Sequence, residues 1–436
     1  MRVAVVGAGV FGLSAAVALR RRGHEVTVFD RYGVPSPHGA SVDSSRLVRA
    51  DYGADGFYTD LALAAIEQWH VWNRDAQAAG FPQLYHPDGV VFFCKGSIDD
   101  GGYERDCIEQ MRARGRPVRR LGPGQPSPLL AVPAWASGDL TAYRDGYLQP
   151  NAGWANARAA VEYLAHVARQ LGVAFRTGEA GTFVRYLPGA DGASVAGLAT
   201  ADGAEHRADV VLVAAGPWSP SLVPELAGKI QVLGQPLVYV KVPEAVRPLF
   251  ESGHFPSYAA DISHDGLYGF PPTEASQHRL KVGLHGRPHL YEGRTPDGRV
   301  CSMPAPPEAR ARPAEAAVAT IKAHIDRAFP MLRDQPVDEA RLCFYCDSWD
   351  SYFYIDRVPG RPGLAVATGG SGHGFKFAPV LGDIIADAVE GRPNRWGAPF
   401  KWREPPSETA RRIEACRMDT GGQPPERIIP APSSKL

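Results

Sequence analysis

VAVVGAGVFGLSAAVAL, residues 3–19, is apolar enough to pass for a signal-peptide core or a membrane span. Its three glycines argue against both, and the next residues, RRRGHEVTVFD, offer no small-residue cleavage site. Residues 2–6 read as a short β-rich strand, 13–22 as a helix and 25–29 as a second strand, which is a βαβ opening. GAGVFG falls at its first turn, and Asp30 closes the second strand. Gly7 permits the tight turn, Gly9 lets a pyrophosphate approach the backbone, and Gly12 lets helix and strand pack closely. The helix start, with Val10 and Phe11 in the motif, offers N–H groups and positive dipole to phosphates, and Asp30 can accept from ribose hydroxyls. The stretch therefore predicts a dinucleotide site, with nicotinamide and flavin both open.

The rest of the composition narrows the partner. A chain of 436 residues suggests two or three domains, with ample material for a buried site. Lys plus Arg and Asp plus Glu are equal at 47 each, and RRR at 20–22 is the longest basic run, so neither nucleic acid nor a membrane surface is indicated. A small-molecule substrate is expected. No other stretch is long enough to cross a bilayer. Six cysteines, at 94, 107, 301, 343, 346 and 416, are too sparse for a disulfide scaffold and fit a reducing compartment. RLCFYC, 341–346, sets two of them three apart, yet no second CxxC or paired histidine motif completes a zinc site, and an aromatic strand (FYCDSWDSYFYI) is not where a redox pair opens a helix.

Further along, a helix near 154–170, a strand at 173–176 and strands near 194–199 and 209–214 lead into AAGPWS, where Gly216 follows an apolar strand. GLAVATGGSGHGFKFAPVLGDIIADAV, 363–389, supplies one more strand, a Gly-rich turn and a helix. The predicted fold class is α/β plus β: a Rossmann-like domain from residues 1–80, 150–225 and 336–395, interleaved with a mainly antiparallel-sheet substrate domain from 81–149 and 226–335. Residues 405–436, polar and Pro-rich, read as a mobile tail. Its Ser434-Lys435-Leu436 matches a peroxisomal import address, so the expected location is peroxisomal in a eukaryote, through the import receptor, and otherwise cytoplasmic.

GAGVFG, SSRLVRADYG, AAGPWS, LYGFP, RLKVGLH, CFYCDSWDSYFYID and GGSGHGFKF, taken together and in this order, resemble the monomeric sarcosine oxidase family of flavin amine oxidases, whose relatives act on pipecolate, saccharopine, N-methyl and fructosyl amino acids. The resemblance spans residue 3 to about 390 and implies a two-dinucleotide-binding-domain flavoprotein, FAD as cofactor, O2 as second substrate and a monomer. It implies a covalent bond between Cys343 and the flavin; a cysteine packed as a small hydrophobe is the ordinary alternative, and the favoured one for Cys346.

The same resemblance implies roles for other residues. Gly372, Gly374 and Phe375 turn backbone N–H groups toward the flavin, and Lys376 gives its ammonium to the substrate carboxylate. Ser45 and Arg46 lie at the flavin, with Arg46 over its ring, while Arg49 helps bind carboxylate through its planar fork. If SSRLVR turns helically, Arg46 and Arg49 share one side. Lys281 is implied to serve oxygen reduction, and His285, an even number of residues on along a β-like stretch, faces the same way. Tyr268 and Tyr345 line the pocket; each aromatic and His285 could equally be packing residues.

On substrate, LYGFPP at 267–272 lacks the glutamate of the fructosyl branch, which favours sarcosine-, pipecolate- or saccharopine-like amino acids. GYLQPNAGWANARAA and SVDSSRLVRADYG lean toward the pipecolate, saccharopine and fructosyl side. A fructosyl amino acid oxidase, a flavin amine oxidase of a natural-product pathway, and a flavin dehydrogenase with another acceptor are the alternatives.

Overall fold

The computed structural model describes residues 1–122, 132–251, 255–286, 288–295, 297–406 and 426–428. Ser434-Lys435-Leu436 and Cys416 lie outside the described residues.

The apolar opening folds as read. Arg2–Val6 is the strand, its last four residues buried, and pairs in parallel with Glu25–Asp30 on one side and Val210–Val213 on the other. A six-stranded sheet results, in the order Tyr354–Arg357, Leu364–Thr368, Val210–Val213, Arg2–Val6, Glu25–Asp30, Ala174–Thr177. All its pairs are parallel except the edge strand Tyr354–Arg357. Strand order reverses at Arg2–Val6, so the crevice beyond its carboxyl end lies where such sheets bind ligands. Gly7 sits there with φ 109°, its N–H donating to Phe29 O at 2.8 Å. A Cβ on Gly7 would stand 2.5 Å from Ala214 O, and one on Gly12 only 1.9 Å from Gly7 O.

The helix starts at Val10, earlier than its hydrophobic pattern suggested, because Gly9 supplies an extended cap and Ser41 Oγ accepts the Val10 N–H at 3.2 Å. Val10–Arg21 packs against Ala157–Gln170 and Ala378–Glu390. Asn156 caps Ala157–Gln170, accepting the Ala159 N–H, which is why the chain changes from strand (Gly153–Ala155) to helix at that point.

The second layer is a ten-stranded, mainly antiparallel sheet. Its centre is Ile230–Lys241, paired with Arg279–Leu284 and Val337–Ser348. Leu267–Phe270, Ser257–Ala260, Val90–Cys94, Asp145–Gln149 and Arg119–Arg120 extend it, so residues from both 81–149 and 226–335 contribute. Val337–Ser348, grouped by sequence with the nucleotide-binding segment, pairs instead into this large sheet. FYCDSWDSYFYI is accordingly two strands in two sheets, divided at residues 349–353. Within the stretch read as a tail, Glu426–Arg427 adds in parallel to His289–Leu290 at the sheet edge. SSRLVR contains a strand, Arg46–Val48, not a helical turn; it pairs with Gly153–Ala155. Among the described residues no helix is long and apolar enough to cross a membrane.

The Gly12 contact sets a test of the opening motif. Gly12→Ala forces backbone against backbone, and we expect the melting temperature to fall by roughly 5 °C or more, read by differential scanning fluorimetry.

Candidate active site

The nucleotide end is built first by the backbone. Asp30 Oδ2 accepts the Ala8 N–H and Oδ1 the Tyr32 N–H, both at 2.9 Å, so the carboxylate predicted to meet a ribose also anchors the Gly-rich loop. Burial raises its pKa above the usual carboxylate value, against those two donors. Gly216, at φ 53°, leads away from Val210–Val213 with open space where a Cβ would be, and Thr368 Oγ1 donates to its carbonyl at 3.3 Å. On the far side, Gly372 (φ 66°) and Gly374 form the turn before Gly374–Phe377. Phe11 lies over that turn: a Cβ on Gly374 would meet its ring at 2.9 Å. Phe11 also packs edge-on against Phe353, and Phe375 stacks on Trp69. Phe11 and Phe375 are thus held by packing between elements, while Val10 is buried in the core beneath the first turn. A helix start that opens on Gly9, where a Cβ would meet Ser41 Oγ at 3.1 Å, fits a dinucleotide phosphate brought close to the backbone.

Val337–Ser348 separates the two cysteines. Being three apart on a strand, they face opposite ways. Cys343 shares a face with Leu237, Tyr239, Tyr268 and Tyr345. Cys346 packs into the core of the nucleotide sheet, its Sγ 3.3 Å from Thr368 Oγ1, and burial pushes its thiol up to about 11. This geometry removes both the metal half-site and the redox-pair readings and leaves Cys343 the only one of the pair on the site face.

Next to Cys343 is a cluster of cations. Arg46 Nη2 lies 3.4 Å from Cys343 Sγ and donates to Ala40 O at 2.6 Å. Lys281, only 1% exposed, donates to Asp43 Oδ2 and to Ser45 O, each at 2.7 Å, and its ammonium is 4.5 Å from the Phe270 ring centroid. Ser45 thus acts through its carbonyl. Asp43, unremarked in the sequence although it stands inside SVDSSRLVR, also binds Arg46 Nη1, Arg341 (2.8 Å) and the Tyr239 hydroxyl. Burial opposes the Asp43 charge, but Lys281, Arg46 and Arg341 overcome it and hold the carboxyl well below its usual range. Burial pushes Lys281 down to about 7, with Asp43 working against that and Arg46 with it.

Tyr268, Tyr345 and His285 complete this face. The Tyr268 and Tyr345 hydroxyls are 3.3 Å apart, and the His285 ring lies 6.0 Å from that of Tyr345. Gly283 falls between Lys281 and His285, the latter one residue past the end of Arg279–Leu284. A Cβ on Gly283 would stand 2.4 Å from Tyr268 Cζ, so the missing side chain is what lets Tyr268 lie across the strand. Burial pushes the Tyr268 phenol up to about 12 and that of Tyr345 well above its ordinary value, so both remain protonated donors.

Arg49 departs from Arg46. Alternation along the strand sends it to a different neighbourhood, where Nη1 donates to Asp51 O and, at 3.1 Å, to Tyr103 Oη, with the guanidinium 5.4 Å from the Tyr52 ring centroid. Lys376 reaches the same ring from the other Gly-rich turn: Nζ is 5.1 Å from the centroid and donates to Tyr52 Oη at 2.9 Å and His373 O at 3.1 Å. Tyr52 Oη lies 3.0 Å from His373 Nδ1, and His373 Nε2 is 3.1 Å from Ser351 O. Since a carbonyl only accepts, Nε2 of the neutral ring carries the proton, Nδ1 accepts from Tyr52, and the Tyr52 oxygen accepts from Lys376. Two cations from distant segments therefore converge on one tyrosine, an arrangement suited to an anionic group.

A family model described as FAD dependent oxidoreductase matches residues 2–388. The chain belongs to that family. The flavoenzyme is 26% identical over 422 residues to the L-saccharopine oxidase of Schizosaccharomyces pombe, spanning 92% of this chain and 93% of the relative. It is 28% identical over 404 residues to the N-methyl-L-tryptophan oxidase of Citrobacter koseri, with 91% and 97% covered. The monomeric sarcosine oxidase of a Bacillus species is 24% identical over 392 residues, with 88% and 91% covered. Among solved structures, Amadoriase I of Aspergillus fumigatus, a fructosyl amine:oxygen oxidoreductase, matches with TM-score 0.79 at 26% identity, covering 96% of this chain and 93% of that one. The fructosyl peptide oxidase from E. terrenum matches with TM-score 0.82 at 23% identity, a likeness of fold.

The flavoenzyme's Lys376–Tyr52–His373 chain yields a stability prediction. Tyr52→Phe deprives a buried ammonium of one acceptor and should cost about 1–3 kcal/mol, measured as a lower urea midpoint, with the cation left in place.

Proposed function

We propose that this protein is an oxidase of a secondary-amine amino acid, sarcosine-, pipecolate- or saccharopine-like, carrying its FAD covalently on Cys343. The convergence of Arg49 and Lys376 on Tyr52 carries the reading, because it supplies a fork and a point charge for one carboxylate within the same fold as the named amino acid oxidases. Bound FAD supplies the two-electron acceptor. The chain's own groups do the rest: Arg49 and Lys376 hold the substrate carboxylate, so that the amine and its α C–H are presented in one orientation. Tyr268, Tyr345 and His285 shape the wall around the amine, with both phenols as hydrogen-bond donors. The substrate gives up a hydride from the α carbon and a proton from the amine, becoming an imine that hydrolyses in water, and the same two electrons and two protons in sum leave on O2 as hydrogen peroxide. Lys281 and Arg46 supply positive charge where oxygen gains electrons.

A fructosyl amino acid is the second reading, favoured by the match to Amadoriase I. Residues 267–272 contain no acid to meet the sugar, which weighs against it. We take the protein to act as a monomer on a free small molecule. In a eukaryotic host, peroxide formation gives the Ser434-Lys435-Leu436 ending a purpose, as an address to the peroxisome.

Two experiments decide. Anaerobic mixing with sarcosine, L-pipecolate, L-saccharopine, N-methyl-L-tryptophan and fructosyl-lysine should bleach the flavin with at least one secondary amino acid; bleaching by fructosyl-lysine alone hands the site to the second reading. Slow return of colour in air, by stopped flow, would instead mark a dehydrogenase. Acid precipitation should give a yellow pellet from the natural protein and a colourless one from Cys343→Ser, and a colourless pellet from both removes the covalent bond.

A further inference from the structure

Asp43 is the part of the site that no motif announced and that every nearby cation touches. Its two oxygens take four hydrogen bonds and one further ion pair. Oδ2 accepts from Lys281 Nζ at 2.7 Å and Arg46 Nη1; Oδ1 accepts from the Tyr239 hydroxyl and the Ser44 N–H at 2.7 Å, and is ion-paired with Arg341 Nη2 at 2.8 Å. The side chain is 1% exposed, as is that of Lys281. These groups come from four separate segments: residues 43–46, which run into the strand Arg46–Val48, and the strands Ile230–Lys241, Arg279–Leu284 and Val337–Ser348. One buried and two half-buried cations around one point repel one another, and a shared anion relieves that repulsion. Arg341 is paired in addition with Glu339 at 3.2 Å, whereas Asp43 is the carboxylate that Lys281, Arg46 and Arg341 share. Lysine has three N–H donors, and Asp43 and Ser45 fix two of them.

We propose that Asp43 is a positioning residue, which fixes the Lys281 ammonium and the Arg46 guanidinium beside Cys343 and supplies the negative charge that lets three cations crowd one face. The assignment rests on the reading of Lys281 as the cation that serves oxygen. Its consequence is pH-dependent. The groups facing Lys281 are Asp43, Arg46 and Arg341, with Tyr239, Tyr268, Tyr345 and Cys343 on the same face, and Arg279 and Glu339 flanking Tyr239 at its edge. Lys281 is charged below its titration near 7 and neutral above it. Asparagine at position 43 withdraws the one anion that retains the proton, so that titration moves to lower pH.

The test uses purified flavin-loaded protein and two readouts: the pH titration of the oxidised flavin's visible absorption, and stopped-flow reoxidation by O2 after anaerobic reduction. The natural protein should show a spectral inflection near pH 7. Lys281→Met should lose that inflection, and Asp43→Asn should displace it downward by about one unit or more, with reoxidation slowed roughly tenfold at neutral pH. Asp43→Glu, which retains the charge, should keep the inflection and most of the rate. In the Lys281→Met background, Asp43→Asn should slow reoxidation by less than about twofold further, since the two residues act through one group. If Asp43→Asn does not fold, Asp43→Glu and the double variant, which removes one cation with the anion, carry the comparison. An unmoved inflection and natural reoxidation in Asp43→Asn, or additive losses in the double variant, overturn the proposal. Natural reoxidation in Lys281→Met overturns instead the oxygen role of Lys281, and the inflection then still decides what Asp43 does.

Discussion

Val337–Ser348 has two faces with opposite duties, and the site exists because one strand performs both. On one side Cys343 and Tyr345 look toward the cations and tyrosines. On the other, the strand is joined to the end of the nucleotide sheet: Ser371 N–H donates to Cys346 O at 2.9 Å, the Ser348 N–H donates to Ser371 Oγ at 3.0 Å, and Cys346 Sγ meets Thr368. A strand alternates its side chains with period two, so residues an odd number apart are delivered to different layers. The long antiparallel pairing with Ile230–Lys241, from Ile230↔Ser348 to Val240↔Val337, then fixes where Cys343 falls relative to Tyr239 and, through it, Asp43.

The electrostatics depend on that placement. The protein is formally neutral overall, yet it concentrates cations in two groups. One group, Arg46, Lys281 and Arg341, is gathered on a carboxylate. The other, Arg49 and Lys376, is gathered on the face of Tyr52, whose hydroxyl accepts from Lys376 and passes a hydrogen bond on to His373. Burial penalises each charge, so each location must be supported by acceptors arriving from other segments. Those supports differ in kind. Asp43 bonds directly to the first group, whereas the second is held around Tyr52 with the buried Asp51 carboxyl as its electrostatic neighbour.

Much of this is legible in the chain itself. GAGVFG lies between a strand and a helix whose local propensities agree with the global fold, and glycine is required where a Cβ would strike backbone. Arg46, Lys281, Cys343 and Lys376 stand in recognisable motifs, and Arg46 lies beside Cys343 with Lys281 joined to it through Asp43. Less legible is anything decided by pairing. SSRLVR is able to turn as a helix, and it is a strand because Arg46–Val48 finds a partner in Gly153–Ala155, far away in the chain. Arg46 and Arg49 therefore part company. Asp43 and Gly283 sit inside those motifs without announcing themselves, since a carboxylate in a loop and a glycine in a strand have no meaning until their neighbours are known.

The sequence by itself determined the dinucleotide-binding opening, the alternation of sheet types, and the set of chemically capable side chains, because these depend on periodicity, on backbone sterics and on residue type over short spans. Only the tertiary structure decided that Cys343 and Cys346 face opposite layers, that three cations share Asp43, and that Tyr268 lies across Gly283. Each of these is settled by contacts between separate segments of the chain, fixed by strand register and by the need to pair buried charge, and none is visible in a local pattern.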